Sequence, residues 1–391
     1  MACRHLFFKT CDHLLLVTVV APLVSMYWCG MFFLVDEYVF PTDYVFSIWF
    51  TCVVGFGAVL ICHIEHEKLT ELAHTNDVVY NPLARLYSIL LIIIIVFQWR
   101  GFWYILEYYL PSGVLSAAIS IAVGFLLLSA SGCCKSITGV VPFVLTADDK
   151  TNYFVALSKF SHVSQRNKAF RLIDHLYSVF FIHPAVILLW RGLWHIQDHG
   201  ILVDDHVMSG IVSVSCGSAA VLSFYIAQFP INRCVKTLSK IPRFLVEQTW
   251  KLLVVSAAVF YWRGTWVFFE MIFQKHVFTM WFVTIVSAFM LCVLNVWSIA
   301  TLRGVWVDDP LDSSEDSILF DIHYFQDIAS VVKDTKIIPV YNEKYVENIE
   351  AHKAKSERKP ILDNGNVTPI ERSDLTIISI AEWEKMHESD L

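Results

Sequence analysis

Charge is scarce in this chain. Asp, Glu, Lys and Arg make up 17% of its 391 residues, below the roughly one quarter that keeps a globular protein's surface wet. Hydrophobic residues are 56% and aromatics 15%, and the mean hydropathy is +0.55. That balance excludes an ordinary soluble fold and points to a chain that crosses a lipid bilayer many times. Phosphate-cradling glycine loops, nucleophile elbows and Cys-x-x-Cys pairs are missing as well, so nothing argues for catalysis: no enzyme, no catalytic residue and no cofactor are expected. The net charge is −7 without a basic surplus, and no nucleic-acid partner is expected.

Eight apolar runs are long enough to cross roughly 30 Å of hydrocarbon. They lie near 13–35, 44–64, 86–107, 113–134, 173–196, 207–229, 250–272 and 277–299. The first follows Arg4 and Lys9 as a signal peptide would, yet it continues past Pro22 without a small-x-small cleavage pattern, so it reads as a helix of the mature protein. Lys and Arg are absent from 36–43, 108–112 and 197–206, and 273–276 has only Lys275. The alternate loops hold Lys68 and Arg85, then Lys135, Lys150, Lys159, Arg166, Lys168 and Arg171, then Arg233, Lys236, Lys240, Arg243 and Lys251. Basic loops stay cytoplasmic, which predicts that both termini are cytoplasmic and that the short acidic connections face outward. None of the ten cysteines falls in an outward loop, so no disulfide framework is expected. Several cluster at cytoplasmic ends. Cys133-Cys134 is a candidate for palmitoylation, with plain apolar packing as the alternative. The sequon Asn366-Val367-Thr368 falls on the cytoplasmic side and should carry no glycan.

One pattern recurs four times: a Trp, Gly two residues later, an aromatic at four and an acid at eight. The copies are Trp28-Cys29-Gly30-Met31-Phe32 with Asp36; Trp99-Arg100-Gly101-Phe102-Trp103 with Glu107; Trp190-Arg191-Gly192-Leu193-Trp194 with Asp198; and Trp262-Arg263-Gly264-Thr265-Trp266 with Glu270. On a helix, Arg, Trp and acid at i, i+3 and i+7 share a face, the glycine opens room for a neighbouring backbone, and an Arg–Trp cation–π contact is within reach. The acid is about 10 Å further along, too far for a comfortable pair within its own helix. Each arginine should therefore meet an acid or carbonyl of another helix. Two readings follow. The arginines, Trp and acids act as interhelical staples, or the arginines line a path for anions or acidic solutes. His63-Ile64-Glu65-His66-Glu67 and His195 with His199 have spacings that metals accept, but the groups belong at opposite ends of their helices, so no metal site is expected.

A longer repeat appears at a shift of about 162 residues. Asp12-His13-Leu14 and Pro22 match Asp174-His175-Leu176 and Pro184, Gly55 and Ala58-Val59-Leu60 match Gly217 and Ala220-Val221-Leu222, and Val96-Phe97 matches Val259-Phe260. The predicted fold is an all-α polytopic membrane bundle of eight transmembrane helices in two tandem four-helix halves, residues 1–150 and 151–310. Residues 311–391 read as a largely disordered cytoplasmic tail, with acidic serines at 313–316, a basic run Lys353 to Lys359, and short helices near 320–335 and 378–388. The chain closes on Glu388-Ser389-Asp390-Leu391, which fits a PDZ groove that takes a free carboxylate, a buried apolar side chain and a hydroxyl two residues earlier.

The Trp-Arg-Gly-x-Trp copies, together with Arg303-Gly304-Val305-Trp306-Val307-Asp308-Asp309-Pro310 after the eighth run, resemble the fuseless family of invertebrate multi-pass membrane proteins over residues 10–310. The resemblance implies a presynaptic protein that organises active zones and localises voltage-gated calcium channels, with no established catalytic chemistry. The leading expectation is thus a non-enzymatic organiser in the plasma membrane whose tail recruits PDZ scaffolds and an ion-channel complex. A transporter or channel for small solutes or anions is the alternative.

Overall fold

The computed structural model describes residues 2–75, 77–148, 153–161, 167–274, 276–301, 304–309 and 317–329. The chain divides into two units, Met1–Val332 and Lys333–Leu391, and every described residue belongs to the first. The PDZ-like residues Glu388, Ser389, Asp390 and Leu391, the basic run Lys353 to Lys359 and the helix expected near 378–388 lie outside the described residues.

Inside a bilayer a backbone can satisfy its N–H and C=O groups only within itself, and this chain does so with helices. Helix α1 runs from Ala2–Leu15 through one π turn, Leu16–Val20, into Ala21–Tyr38. Helices α2, α3 and α4 are Tyr44–Thr75, Asp77–Tyr109 and Val114–Ser131. Helix α5 repeats the plan of α1: Lys168–Tyr177, a π turn at Ser178–Ile182, then His183–Gly200. Helices α6, α7 and α8 are His206–Lys236, Lys240–Phe273 and Val277–Val293. The two π turns share a cause. Pro22 and Pro184 lack an N–H and crowd the carbonyl four residues back, and the wider turn before each absorbs the misfit without ending the helix.

Seven of these helices are long and apolar enough to cross a membrane; α8, with 17 residues, is shorter. The chain is therefore a polytopic, all-helical membrane protein. The odd-numbered helices form an inner ring. Each packs most extensively on one even-numbered helix: α3 on α2, α5 on α4, α7 on α6 and α1 on α8. Chain neighbours thus pair three times, and the fourth pair joins the first helix to the last. The motif glycines set these distances. A Cβ on Gly101 would stand 2.3 Å from the Cys52 nitrogen of α2, and one on Gly264 2.2 Å from the Val214 nitrogen of α6, so only hydrogen permits this approach.

At the amino-terminal ends of the inner helices, connecting segments fold into a cap. Turns of 3-10 helix at Cys134–Ile137 and Trp297–Ala300 follow α4 and α8, and a short parallel pair joins β1 (Val144–Leu145) to β2 (Asp321–Ile322). Carboxylates pin it. Asp148 accepts the backbone N–H of Trp297 and Ser298 at 3.1 and 2.8 Å and meets Arg85 at 3.2 Å. Asp308 accepts from the Lys135 N–H at 2.7 Å and Lys251 Nζ at 2.9 Å. The late Gly304-Val305-Trp306-Val307-Asp308 sequence is thus a strap of the cap and not a fifth copy of the helical motif. Gly304 has φ +80° and lies against the Leu157 carbonyl, a place no side chain fits. The boundary expected at 310 falls later. Ile318, Ile322 and Tyr324 are buried, and Phe320 N–H donates to Gln228 Oε1 at 2.9 Å, so residues 317–329 are built into the cap instead of the tail.

Candidate functional site

Four tryptophans close the centre of the bundle. Trp28, Trp99, Trp190 and Trp262, one from each inner helix, meet edge to face around a complete ring, with successive centroids 5.7, 5.8, 5.9 and 6.0 Å apart and planes crossed at 81–90°. This is the favoured arrangement of aromatic quadrupoles, about 0.5–1.5 kcal/mol per pair beyond area burial. One helical turn on, Phe32, Trp103, Trp194 and Trp266 form a second tier. Trp194 meets Trp103 at 5.9 Å and Trp266 at 5.8 Å, and Phe32 meets Trp266 at 5.3 Å. The repeat spacing of four residues thus stacks two aromatic layers. A cavity of about 210 Å³ is lined by both tiers and, on the side of the cap, by Val24, Val140, Ile299 and Ala300. Two indoles tie the ring to the cap itself: Trp28 Nε1 donates to the Ala300 carbonyl at 3.0 Å and Trp262 Nε1 to that of Val141 at 2.7 Å. No charged side chain is among the described residues lining this cavity.

The arginines lie around the ring, each reaching the acid of the preceding inner helix. Arg100 Nε donates to Asp36 Oδ1 at 2.6 Å, and its two terminal nitrogens donate to Thr51 and Ser47 of α2, both at 3.1 Å. Arg263 repeats the constellation 163 residues later, with Asp198 at 2.7 Å and Ser213 and Ser209 of α6 at 2.7 and 2.9 Å. Arg191 is held more loosely. Its Nε stands 3.3 Å from Glu107 Oε1 without aiming its hydrogen along the contact, Nη1 reaches Ser120 at 3.3 Å, and His195 Nε2 engages the same carboxylate oxygen. Arg100 lies over the Tyr104 ring at 5.1 Å, where the sequence suggested Trp103 of the same helix.

The chain of clasps is open at one place. Asp36 meets Arg100, Glu107 meets Arg191 and Asp198 meets Arg263; the fourth acid, Glu270, borders the same space as the Asp198–Arg263 clasp, and the fourth guanidinium position is Cys29. The hydroxyl partner changes together with it. Gly192 packs against Ala117 and Ile121 of α4 with Ser120 between them, whereas Gly30 packs against Met280 and Thr284 of α8 with the buried apolar Val283 between them. Here α1 and α7 are joined by a Ser25–Thr265 hydrogen bond of 2.8 Å, and Glu270 accepts Trp266 Nε1 at 3.0 Å. Beside it, toward the acidic ends of the inner helices, lies a vestibule of about 390 Å³ bordered by Asp198, Glu270, Arg263, Trp194, Trp266 and His206. Trp194 and Trp266 border both this vestibule and the central cavity.

Two other groups complete the inventory. His63 of α2 meets His175 and His183 of α5 with ring centroids 5.7 Å apart in each case, and His66 meets His175 at 6.1 Å. Both His63 nitrogens and His175 Nδ1 are buried without a hydrogen-bond partner among the described residues. Sequence reasoning missed this cluster, because its members come from helices about 110 residues apart. The one available signal was His13 and His175 sharing a place in the long repeat. Among the described residues, no group of three or more His, Cys, Asp or Glu is able to hold a metal ion. His195 and His199 lie with tilted rings 5.9 Å apart, His195 against Glu107, away from the cluster. Cys133 and Cys134, the candidates for acylation, are fully buried in the cap. Burial raises both thiols, that of Cys134 to about 12, so neither offers an exposed thiolate.

No curated protein and no solved structure matches the chain. The Fuseless family matches residues 7–300, the segment that holds all four motif copies, both aromatic tiers and both 3-10 turns. By that match the chain belongs to the Fuseless family.

Proposed function

We propose that this protein is a non-enzymatic organiser of the plasma membrane, acting at the presynaptic active zone to localise voltage-gated calcium channels, with both termini cytoplasmic. Family membership supports the role. The observation that carries it is the closure of the repeated guanidiniums. All three are buried, each against a carboxylate and at least one hydroxyl, and none lines the central cavity. Polar groups spent on holding helices together build a platform and not a solute path.

The platform is an eight-span bundle of two tandem halves. α8 supports the eighth span, since it leaves the acidic end after α7 and returns the chain to the cap along α1. Matched π turns, matched clasps of Arg100 and Arg263, and matched 3-10 turns support the duplication. The tail beyond the cap recruits PDZ scaffolds through Glu388–Leu391.

The decisive experiment compares calcium-channel clustering at synapses carrying the full chain with those carrying a chain that lacks Leu391. Channel clusters and PDZ pull-down should both fall while surface expression stays constant. Unchanged clustering and pull-down would refute the recruitment. In proteoliposomes, anion flux present in the full chain and abolished by Arg191→Ala would favour a transporter instead.

A further inference from the structure

We propose that the central cavity binds a small neutral aromatic molecule of one or two fused rings, seated where the second tier lacks its fourth indole. This goes beyond the organiser role and does not depend on it. Three of the repeats set a second Trp four residues after the first, and the remaining one sets Phe32 there. The first tier closes on all four sides. In the second, ring contacts run from Trp103 through Trp194 and Trp266 to Phe32, and among the described residues none joins Phe32 back to Trp103. Tyr104 of α3, whose hydroxyl donates to Asp36 of α1 at 3.2 Å, lines the cavity on that open side. The smaller ring in one repeat thus leaves room that the tier itself does not fill.

The walls select the guest. An apolar cavity of about 150 Å³ stays dry and takes up benzene, so one of about 210 Å³ admits a second fused ring. The lining consists of aromatic and aliphatic side chains, and several of its polar hydrogens are already spent: Trp28 and Trp262 donate to cap carbonyls, Trp266 to Glu270 and Tyr104 to Asp36. A cation would face indoles with no carboxylate in the lining to pair it, and burying it so is costly. A neutral planar ring meets no such cost. It continues the edge-to-face packing in which the wall indoles already cross one another at 81–90°, which a saturated chain cannot do. Trp194 and Trp266 border both this cavity and the vestibule at the acidic ends of the inner helices, so the way in passes these two rings.

The test is equilibrium binding of radiolabelled indole to the full chain in lipid nanodiscs, with empty nanodiscs measuring what dissolves in the bilayer. Wild-type protein should add a saturable component. At equal free concentration quinoline should displace the label at least about tenfold better than N-methylquinolinium, which carries the same two rings with a fixed charge. Phe32→Trp, which fills the gap in the second tier, and Val24→Phe, which fills the cavity from the cap side, should each weaken indole binding about tenfold or more. Phe278→Trp, on the exposed face of α8, should bind as wild type. Size-exclusion profile and melting temperature establish that each variant is folded. The proposal fails if the wild type binds no more than empty nanodiscs, if the fixed cation competes as well as quinoline, or if either filling variant, folded, binds indole as wild type does.

Discussion

Asp198 and Arg263 make an unequal pair, and the inequality predicts which partner the fold can lose. The Arg263 side chain is 3% exposed and that of Asp198 36%. Asp198→Asn keeps the shape but removes the one carboxylate that meets this guanidinium among the described residues. A lone Arg at the centre of a membrane helix costs about 2.5–3.5 kcal/mol on insertion scales, and removing one partner of a buried pair costs about 3–5 kcal/mol. Ser213 and Ser209 still accept two of its hydrogens, which places the expected loss near the lower end, about 2–3 kcal/mol. Arg263→Met leaves a carboxylate that water reaches and forfeits interhelical hydrogen bonds averaging about 0.6 kcal/mol each, a loss of about 1–2 kcal/mol in all. Thermal unfolding in one detergent should therefore show Asp198→Asn melting lowest, by roughly 3–5 °C for a unit of this size. The double variant should melt no lower than Asp198→Asn, because deleting the charge removes the need for its partner. If Arg263→Met is the more damaging single change, or if the two losses simply add, Arg263 is not a buried charge held by Asp198.

Three further perturbations test other parts of the structure. Gly264→Ala would set a Cβ 2.2 Å from the Val214 backbone nitrogen, whereas Gly57→Ala meets nothing within 4 Å. The first should cost about 1–3 kcal/mol as overpacking and the second should be neutral or slightly stabilising, and equal melting temperatures would contradict the close approach of α6 and α7. His63 carries two buried nitrogens without a partner among the described residues, so His63→Leu should hold or raise the melting temperature, removing a penalty of about 1–3 kcal/mol; a clear drop would mean that the ring holds something in place. His323 is raised to about 9 by its hydrogen bond to Asp321, reinforced by Asp327. Its folded value lies above the ordinary 6.5, so its contribution is complete below about 6.5 and lost as pH rises through about 9. Hydrogen exchange of residues 317–329 should accelerate across that interval, and His323→Asn should flatten the profile.

The helices, the shared face of the repeated aromatics and the close-packing Gly were legible because each depends on a local period: roughly twenty apolar residues to cross, four residues to return to the same face, one missing side chain to admit a backbone. The partners were less so. That each arginine needs an acid on another helix follows from the cost of burying it, but that Arg100 takes Asp36 rather than an acid of α5 depends on the order of helices around the ring, which a linear pattern does not contain. The cap was hidden for a related reason. Asp148 and Asp308 sit in polar segments that read as loops, and their roles as anchors arise only when segments about 150 residues apart are brought together.

Cys29 shows how far the pattern can be pressed once the ring is known. Within its own repeat Cys29 gives Asp36 no arginine counterpart. In the fold Asp36, Glu107 and Asp198 each reach forward to the next inner helix, so Asp36 keeps Arg100. In α8, Val283 stands where Ser120 supplies a hydroxyl in the related clasp, while Thr279 keeps a hydroxyl at the place of Ser47 in α2 and Ser209 in α6. Among the described residues, the seam where the last inner helix meets the first is joined by Ser25, Thr265 and aromatic edges, with no guanidinium across it. Aromatic contacts and a single hydroxyl pair resist sliding less than a guanidinium held by three acceptors. Any opening of the bundle should begin between α1 and α7, and an engineered disulfide there would restrain it more than one placed at any other inner seam.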